Sequence, residues 1–319
     1  MLNIARLSRW RAVSRESVQP GSWRQLVDRF SEMGFTEGPS DQIAERWRSA
    51  VGTARSLVIY HGNPIRRWRM DRFYSHFVRQ GDLVFDIGSH VGNRIGSFRR
   101  LGCQVVAVEP QPRLVRILRR FYGRDPDVAI EPMAVAAAPG SIELFVNYDN
   151  PSLTTASSDF VTAASAAPGW RGERWPGRLA VPTITLDQLI ERHGEPTFVK
   201  IDVEGFEAEV LAGLSRPLEA FSFEFTTILR RVAIDCLTRC RALGAYRFNA
   251  ALGETQRLAF PQWIDAEAIK QWLEALSDNA NSGDIYVHRR RSGNPPRNLA
   301  HSRPHRASPG PLLGLPPRV

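Results

Sequence analysis

At 319 residues, 43% of them hydrophobic, the chain is long and apolar enough to bury one large core or two small ones. No run approaches the ~18 consecutive apolar residues of a membrane span, and the basic amino-terminal stretch lacks the apolar segment of a secretory signal. The net charge of +9 sits mainly on the ends: 289–319 holds seven arginines and no acid, residues 1–20 four arginines and one glutamate, and 21–288 is nearly neutral, which argues against a specific nucleic-acid partner.

Residues 1–20 read as a weakly ordered basic terminus. Leu26, Val27, Phe30 and Met33 recur at helical spacing, and Ile43 and Trp47 follow the Gly38-Pro39 break. Residues 57–60 suggest a short strand, and Arg66 to Phe77 a helix, with the aromatics Trp68, Phe73, Tyr74 and Phe77 as core packing. Residues 21–80 together are expected to form a helical cover over a substrate entrance. A separate domain is expected over 81–289.

Residues 83–109 carry the strongest signal. Leu83–Phe85 is an apolar run ending in Asp86; Gly88 and Gly92 follow, then a helix, a second apolar run Val105–Val108, and Glu109. Strand, glycine turn, helix, strand and acid open a doubly wound sheet that binds a nucleoside-bearing cofactor at its strand ends. Gly88 and Gly92 suit φ > 0 and close backbone approach. The spacing Asp-x-Gly-x-x-x-Gly departs from the G-x-G-x-x-G of dinucleotide sites and puts an acid where the first glycine belongs. A carboxylate there disfavours a diphosphate and suits a cation, such as the ammonium and sulfonium of S-adenosylmethionine (SAM). Glu109 is placed to accept hydrogen bonds from ribose hydroxyls.

Further on, Pro112–Phe121 reads as a helix, Val128–Ile130 as strand three with Pro132-Met133-Ala134-Val135 as its exit, and Ser141–Val146 as a strand or hairpin arm. Residues 149–180, rich in Ser, Thr, Ala, Gly and Pro, read as a long lid or binding loop in which Trp170 and Trp175 either wall a pocket or pin the loop. Thr185 or Asp187 caps a short helix. In the segment 197–214, Lys200, Asp202 and Glu204 alternate with Val199, Ile201 and Val203, so three charged groups share one face of a central strand. Gly205 breaks that strand before a helix to Leu214. Ala220–Phe225 carries Glu224, Ile228–Leu243 is helical, Tyr246–Asn249 and Asp284–His288 supply the last strands, and 290–319 reads as a disordered basic tail. Cys103, Cys236 and Cys240 give no disulfide framework and fit buried thiols in a reducing cytoplasm.

The pair VFDIGSHVGN with VVAVEP, and FVKIDVEGFEAEVLAGL about a hundred residues later, resembles the FkbM family of SAM-dependent methyltransferases. GDIYVHR resembles that family's last strand, and the likeness runs over about 57–289. His90 departs from the small residue often found there. The resemblance implies an α/β class I methyltransferase (Rossmann-like) fold: a seven-stranded, mostly parallel sheet with helices on both faces and the last strand antiparallel. It implies methylation of a hydroxyl oxygen on a sugar, polyketide or other small metabolite. Asp86, Gly88 and Gly92 would line the methionine part of SAM, Glu109 the ribose, and Met133 and Ala134 the adenine; Lys200, Asp202 and Glu204 would face the transferring methyl, Asp202 counting also among the cofactor-binding residues.

An alcohol oxygen needs its proton removed, and a positioned carboxylate can take it. Asp202 or Glu204 is the candidate base, Glu204 the better placed, with Lys200 beside them. No metal is assigned; a divalent cation on Asp202, Glu204 and Glu224 is an alternative, as is a plain ion pair closing the strand end. His61 and His193 are loop histidines available as bases. Three rivals remain: a nicotinamide oxidoreductase, a SAM- or carbohydrate-binding module without turnover, and an RNA methyltransferase anchored by the arginine tail.

Overall fold

The computed structural model describes residues 48–57 and 63–290. The chain divides into two compact units, Met1–Arg46 and Trp47–Val319, and every described residue lies in the second. The expectations for 1–47, for the strand positions 58–60 and for the tail from 291 lie outside the described residues, as does His61. Residue 57 ends a helical stretch over 48–57 and does not start a strand.

Apolar runs bounded by glycine and acid become the strands of the main sheet: β1 (Leu83–Ile87), β2 (Gln104–Val108) and β3 (Val128–Glu131), with β7 (Phe198–Ile201), β8 (Ala220–Thr226), β9 (Tyr246–Leu252) and β10 (Ser282–Arg289). Their spatial order is β3-β2-β1-β7-β8-β10-β9. β3, β2, β1, β7 and β8 run parallel, while β10 is antiparallel to both β8 and β9. The order reverses at β1, beside β7, and ligands of such sheets bind outside the carboxyl ends of the strands at that point.

Side chains alternate across the sheet and feed two cores. Phe85, Ile87, Val199, Ile201 and Phe223 pack under the helices Leu186–His193, Glu207–Ala212, Arg230–Leu243 and Ala266–Ala275. Val84, Val105, Ala107 and Phe198 pack with Met70, Phe73, Tyr74, Phe98 and Leu118 of the helices Pro64–Tyr74, Asn93–Arg100 and Pro112–Tyr122. Helix Pro64–Tyr74 is therefore part of a sheet layer, and the expected boundary at 80/81 is not visible in the packing. Asn63 caps it, its side chain accepting from the Ile65 and Arg66 amides at 3.0 and 3.1 Å. Trp68 departs from the expected aromatic core and is 59% exposed.

A second, three-stranded sheet is ordered β4-β6-β5, with β4 Ala134–Val135, β5 Gly140–Val146 and β6 Gly177–Ile184. The arm over Ser141–Val146 is thus β5. Its partner β6 starts inside the stretch read as a loop, and helix Ser158–Ala166 forms there too, capped by Ser157. Phe160 is the reason the stretch is ordered: it is fully buried and meets Trp170 and Trp175 edge-on at 5.4 and 6.1 Å. Trp175 also donates from Nε1 to the Leu153 carbonyl at 2.7 Å, so the tryptophans pin the segment. The cap of helix Leu186–His193 is Thr185, which forms a capping box with Gln188. Among the described residues no helix is long and apolar enough to cross a membrane. The three cysteines are free and buried.

Candidate active site

At the carboxyl ends of β1, β2 and β7 lies a solvent-open cleft, lined by Gly88, His90, Glu109, Met133, Ala134, Asp202 and Glu204 among others. Segments 151–156 and the β5 residues Ile142 and Leu144 close its other wall. The fold thus brings six expected site residues together: Gly88, Glu109, Met133, Ala134, Asp202 and Glu204.

Three others are placed differently. Gly92 does not line the cleft. It has φ +79, and a Cβ there would lie 2.7 Å from Tyr122 and 2.9 Å from Leu118, so it serves helix packing. Asp86 is 1% exposed beneath the loop, and neither carboxylate oxygen has a hydrogen-bond partner among the described residues. Burial raises its pKa to about 6, partly offset by Arg94 and Lys200. Lys200 is fully buried and does not line the cleft. Its ammonium donates to Asp284 Oδ1 at 2.8 Å, Asp202 Oδ2 at 3.1 Å and the Ile201 carbonyl at 3.3 Å. Burial opposes its charge, but Asp202 and Asp284 outweigh it and hold the pKa above the ordinary lysine value. Lys200 thus lies behind the cleft wall, tied to Asp202.

The expected alternation also ends early. β7 stops at Ile201, so Asp202 and Glu204 sit on the turn that follows. Gly88 fits that turn closely: its φ is +83, and a Cβ would lie 1.8 Å from the Asp202 carbonyl oxygen. Glu204 has φ +55. Its carbonyl accepts from the Thr155 hydroxyl at 2.7 Å, and Glu207 Oε1 accepts from the Val203 and Gly205 amides at 3.1 and 3.2 Å.

Charge is uneven across the turn. For Asp202, burial raises the pKa, but Lys200 and Arg94 outweigh it and hold the carboxyl far below the usual range. Arg94 lies 3.2 Å from Asp202 Oδ2 and 3.4 Å from Glu254 Oε1, and Arg66 braces Glu254 at 3.3 Å. For Glu204, burial and the Asp202 charge push the pKa well up. The same two causes act on Glu224. Carboxylate oxygens of Asp202, Glu204 and Glu224 lie within 4.8 Å of one another.

Glu109 is 3% exposed. Its Oε2 accepts from the His90 amide at 3.0 Å and its Oε1 from the Gln111 amide at 2.8 Å. Burial raises its pKa to about 7 despite those bonds. These residues fit a cationic nucleoside ligand: Asp86 has both oxygens unsatisfied below the loop, and Glu109 keeps acceptor capacity beside the cleft. His193 is elsewhere, its Nε2 2.8 Å from Glu131 Oε1.

Sequence reading missed Arg94, Asp284, Glu207 and Thr155. Glu207 left a signal, an acid at the first turn of a helix after a glycine. Arg94 and Asp284 left none, because each meets its partner, Asp202 or Lys200, across a long stretch of intervening chain.

The family model described as methyltransferase FkbM domain matches residues 86–277. The hexuronic acid methyltransferase AglP of Haloferax volcanii is 30% identical over 154 residues, 47% of this chain and 56% of that protein. The chain thus spans about half the length of that relative. Among solved structures, a TehB-like SAM-dependent methyltransferase from Corynebacterium glutamicum superposes with a TM-score of 0.40 at 14% identity, covering 79% of this chain and 98% of the other. Aeropyrum pernix fibrillarin with natively bound SAM gives 0.36 at 10% identity, covering 66% and 68%. With the family model matched over more than half its length, the chain belongs to the FkbM family of methyltransferases, and its cofactor is S-adenosylmethionine.

Proposed function

We propose that the protein is a SAM-dependent O-methyltransferase acting on a hydroxyl of a small metabolite or glycan, with Glu204 as the proton acceptor. One observation carries this reading: the cleft that presents Gly88, Glu109, Met133 and Ala134 also presents Glu204, a half-buried carboxyl with a raised pKa. The hexuronic acid in the relative's name supports a sugar acceptor.

When bound, SAM supplies a methyl group already activated by its sulfonium. The chain aligns the acceptor, excludes water and removes a proton. Asp86 and Asp202 place negative charge beneath and beside the cleft, where a cationic donor is favoured. Glu109 and the Met133-Ala134 wall hold the nucleoside. Asp202, kept ionised by Lys200 and Arg94, is a weak base. Glu204 Oε is the stronger acceptor for the hydroxyl proton, because its neutral form is favoured where it stands.

Turnover of SAM against a panel of neutral and uronic sugars tests the acceptor class. Glu204→Gln should lower kcat by about 10²–10⁴-fold while SAM affinity stays within a few-fold, and it should flatten the rise of kcat with pH. Undiminished turnover in Glu204→Gln would defeat the assignment.

A further inference from the structure

The near-neutral charge of the domain hides a strong asymmetry. Helices Pro64–Tyr74, Asn93–Arg100 and Pro112–Tyr122, on one side of the sheet, carry eleven arginines and one acid, Asp71. The helices on the other side carry six basic and seven acidic residues. The three arginine-rich helices are bound into one layer: Arg100 pairs with Asp71 at 2.7 Å, and Gly96 lets Tyr122 and Arg100 close over it.

Outward from this layer, charge and apolar surface alternate. Ile65, Trp68, Arg69 and Arg72 follow one helix face at i, i+3, i+4 and i+7, with the Arg72 guanidinium 5.6 Å over the Trp68 ring. On helix Pro112–Tyr122 and just beyond it, Arg116, Arg119, Arg120 and Arg124 are exposed and make no ion pair with a described residue. Phe121 stands among them, 58% exposed. Ile65, Trp68 and Phe121, with Val51, are the exposed large hydrophobics among the described residues.

We propose that this arginine and aromatic face docks on an anionic lipid bilayer. Arginines attract lipid phosphates, and Trp, Phe and Ile side chains enter the headgroup boundary together. The exposed aliphatic side chain of Ile65 beside Trp68 favours lipid over single-stranded nucleic acid, whose bases stack on π faces that Ile65 lacks. Each arginine held near such a surface is worth about a fivefold change in partition. Helix Pro112–Tyr122 is entered through Gln111, which lines the cleft, so docking brings the cleft within about 16 Å, one length of that helix, of the lipid.

The test is sedimentation of the full chain with vesicles of phosphatidylcholine mixed with phosphatidylglycerol, against phosphatidylcholine alone. The tail is basic too, so two variants are compared: Arg116→Glu/Arg120→Glu/Phe121→Ser on the face and Arg297→Glu/Arg303→Glu/Arg306→Glu in the tail. Thermal melts confirm folding, and Arg116→Gln/Arg120→Gln serves as a milder face variant. The expected result is binding to mixed vesicles only, lost on the order of 100-fold in the face triple variant and within a few-fold of the parent in the tail variant. Loss confined to the tail variant overturns the proposal. So does absence of vesicle binding, or a single-stranded RNA oligomer bound through the same face in place of lipid.

Discussion

Lys200→Met is the sharpest test of the charge network under the cleft. The ammonium is fully buried, 2.8 Å from Asp284 and 3.1 Å from Asp202. Their side chains are only 12% and 18% exposed, so water cannot replace the lost partner. Removing one member of a buried ion pair costs roughly 3–5 kcal/mol, against a total stability of about 5–15 kcal/mol. For a domain of this size each kcal/mol lowers Tm by about 2–4 °C, so a drop of roughly 6–20 °C is expected. Asp284→Asn leaves Lys200 paired with Asp202 and should cost less, roughly 1–3 kcal/mol. The double variant should be less damaging than the two single losses added, because the neutral amide introduced by Asp284→Asn removes one of the charges that Lys200→Met orphans. The pH dependence has a definite sign. Asp202 has a folded pKa below its unfolded one, so its stabilisation is present above the unfolded carboxylate range and is lost as pH falls through the folded value. The gap between Lys200→Met and the parent should therefore be widest near neutrality and close in acid. Calorimetric melts at two pH values decide it. A variant within about 1 kcal/mol of the parent at neutral pH, well short of the cost of a broken buried pair, would refute the reasoning.

Binding of SAM should release protons near pH 6, because Asp86 and Glu109 have pKa values raised to about 6 and about 7 and a cationic ligand favours their ionised forms. Without the donor, these raised carboxyls make the fold lose stability as pH climbs from the unfolded carboxylate range through those values. Titration calorimetry in two buffers of different ionisation enthalpy should show release near pH 6, little near pH 8, and less in Asp86→Asn; equal release at both pH values would contradict this. Glu207→Ala should cost about 1–3 kcal/mol, since it orphans the Val203 and Gly205 amides. It should also lower kcat more than it raises KM for SAM, by loosening the turn that carries Glu204; a lowered urea midpoint with unchanged kcat would show that the turn holds without it.

Local chemistry wrote much of this protein into its sequence. Apolar runs closed by Asp86 and Glu109, with Gly88 between them, specify two parallel strands and a turn that only a residue comfortable at positive φ can make. Met133 and Ala134 were expected near the first motif only through the family resemblance, and the fold lines one cleft with them, Gly88, Glu109 and Glu204. What escaped reading are contacts made across the sheet. Lys200 looks like a site residue in one dimension because its neighbours are charged. Only the arrival of Asp284, on the antiparallel strand β10, turns it inward as a buried brace. The loop over 149–180 likewise became helix and strand because Phe160 found Trp170 and Trp175 to pack on, and Pro182 had hidden β6 from propensity. Charge followed the same rule. Counting residues gave near-neutrality over 21–288, whereas folding sorted the arginines onto one layer, because helices distant in sequence share a side of the sheet and charge becomes a surface property only after that choice is made.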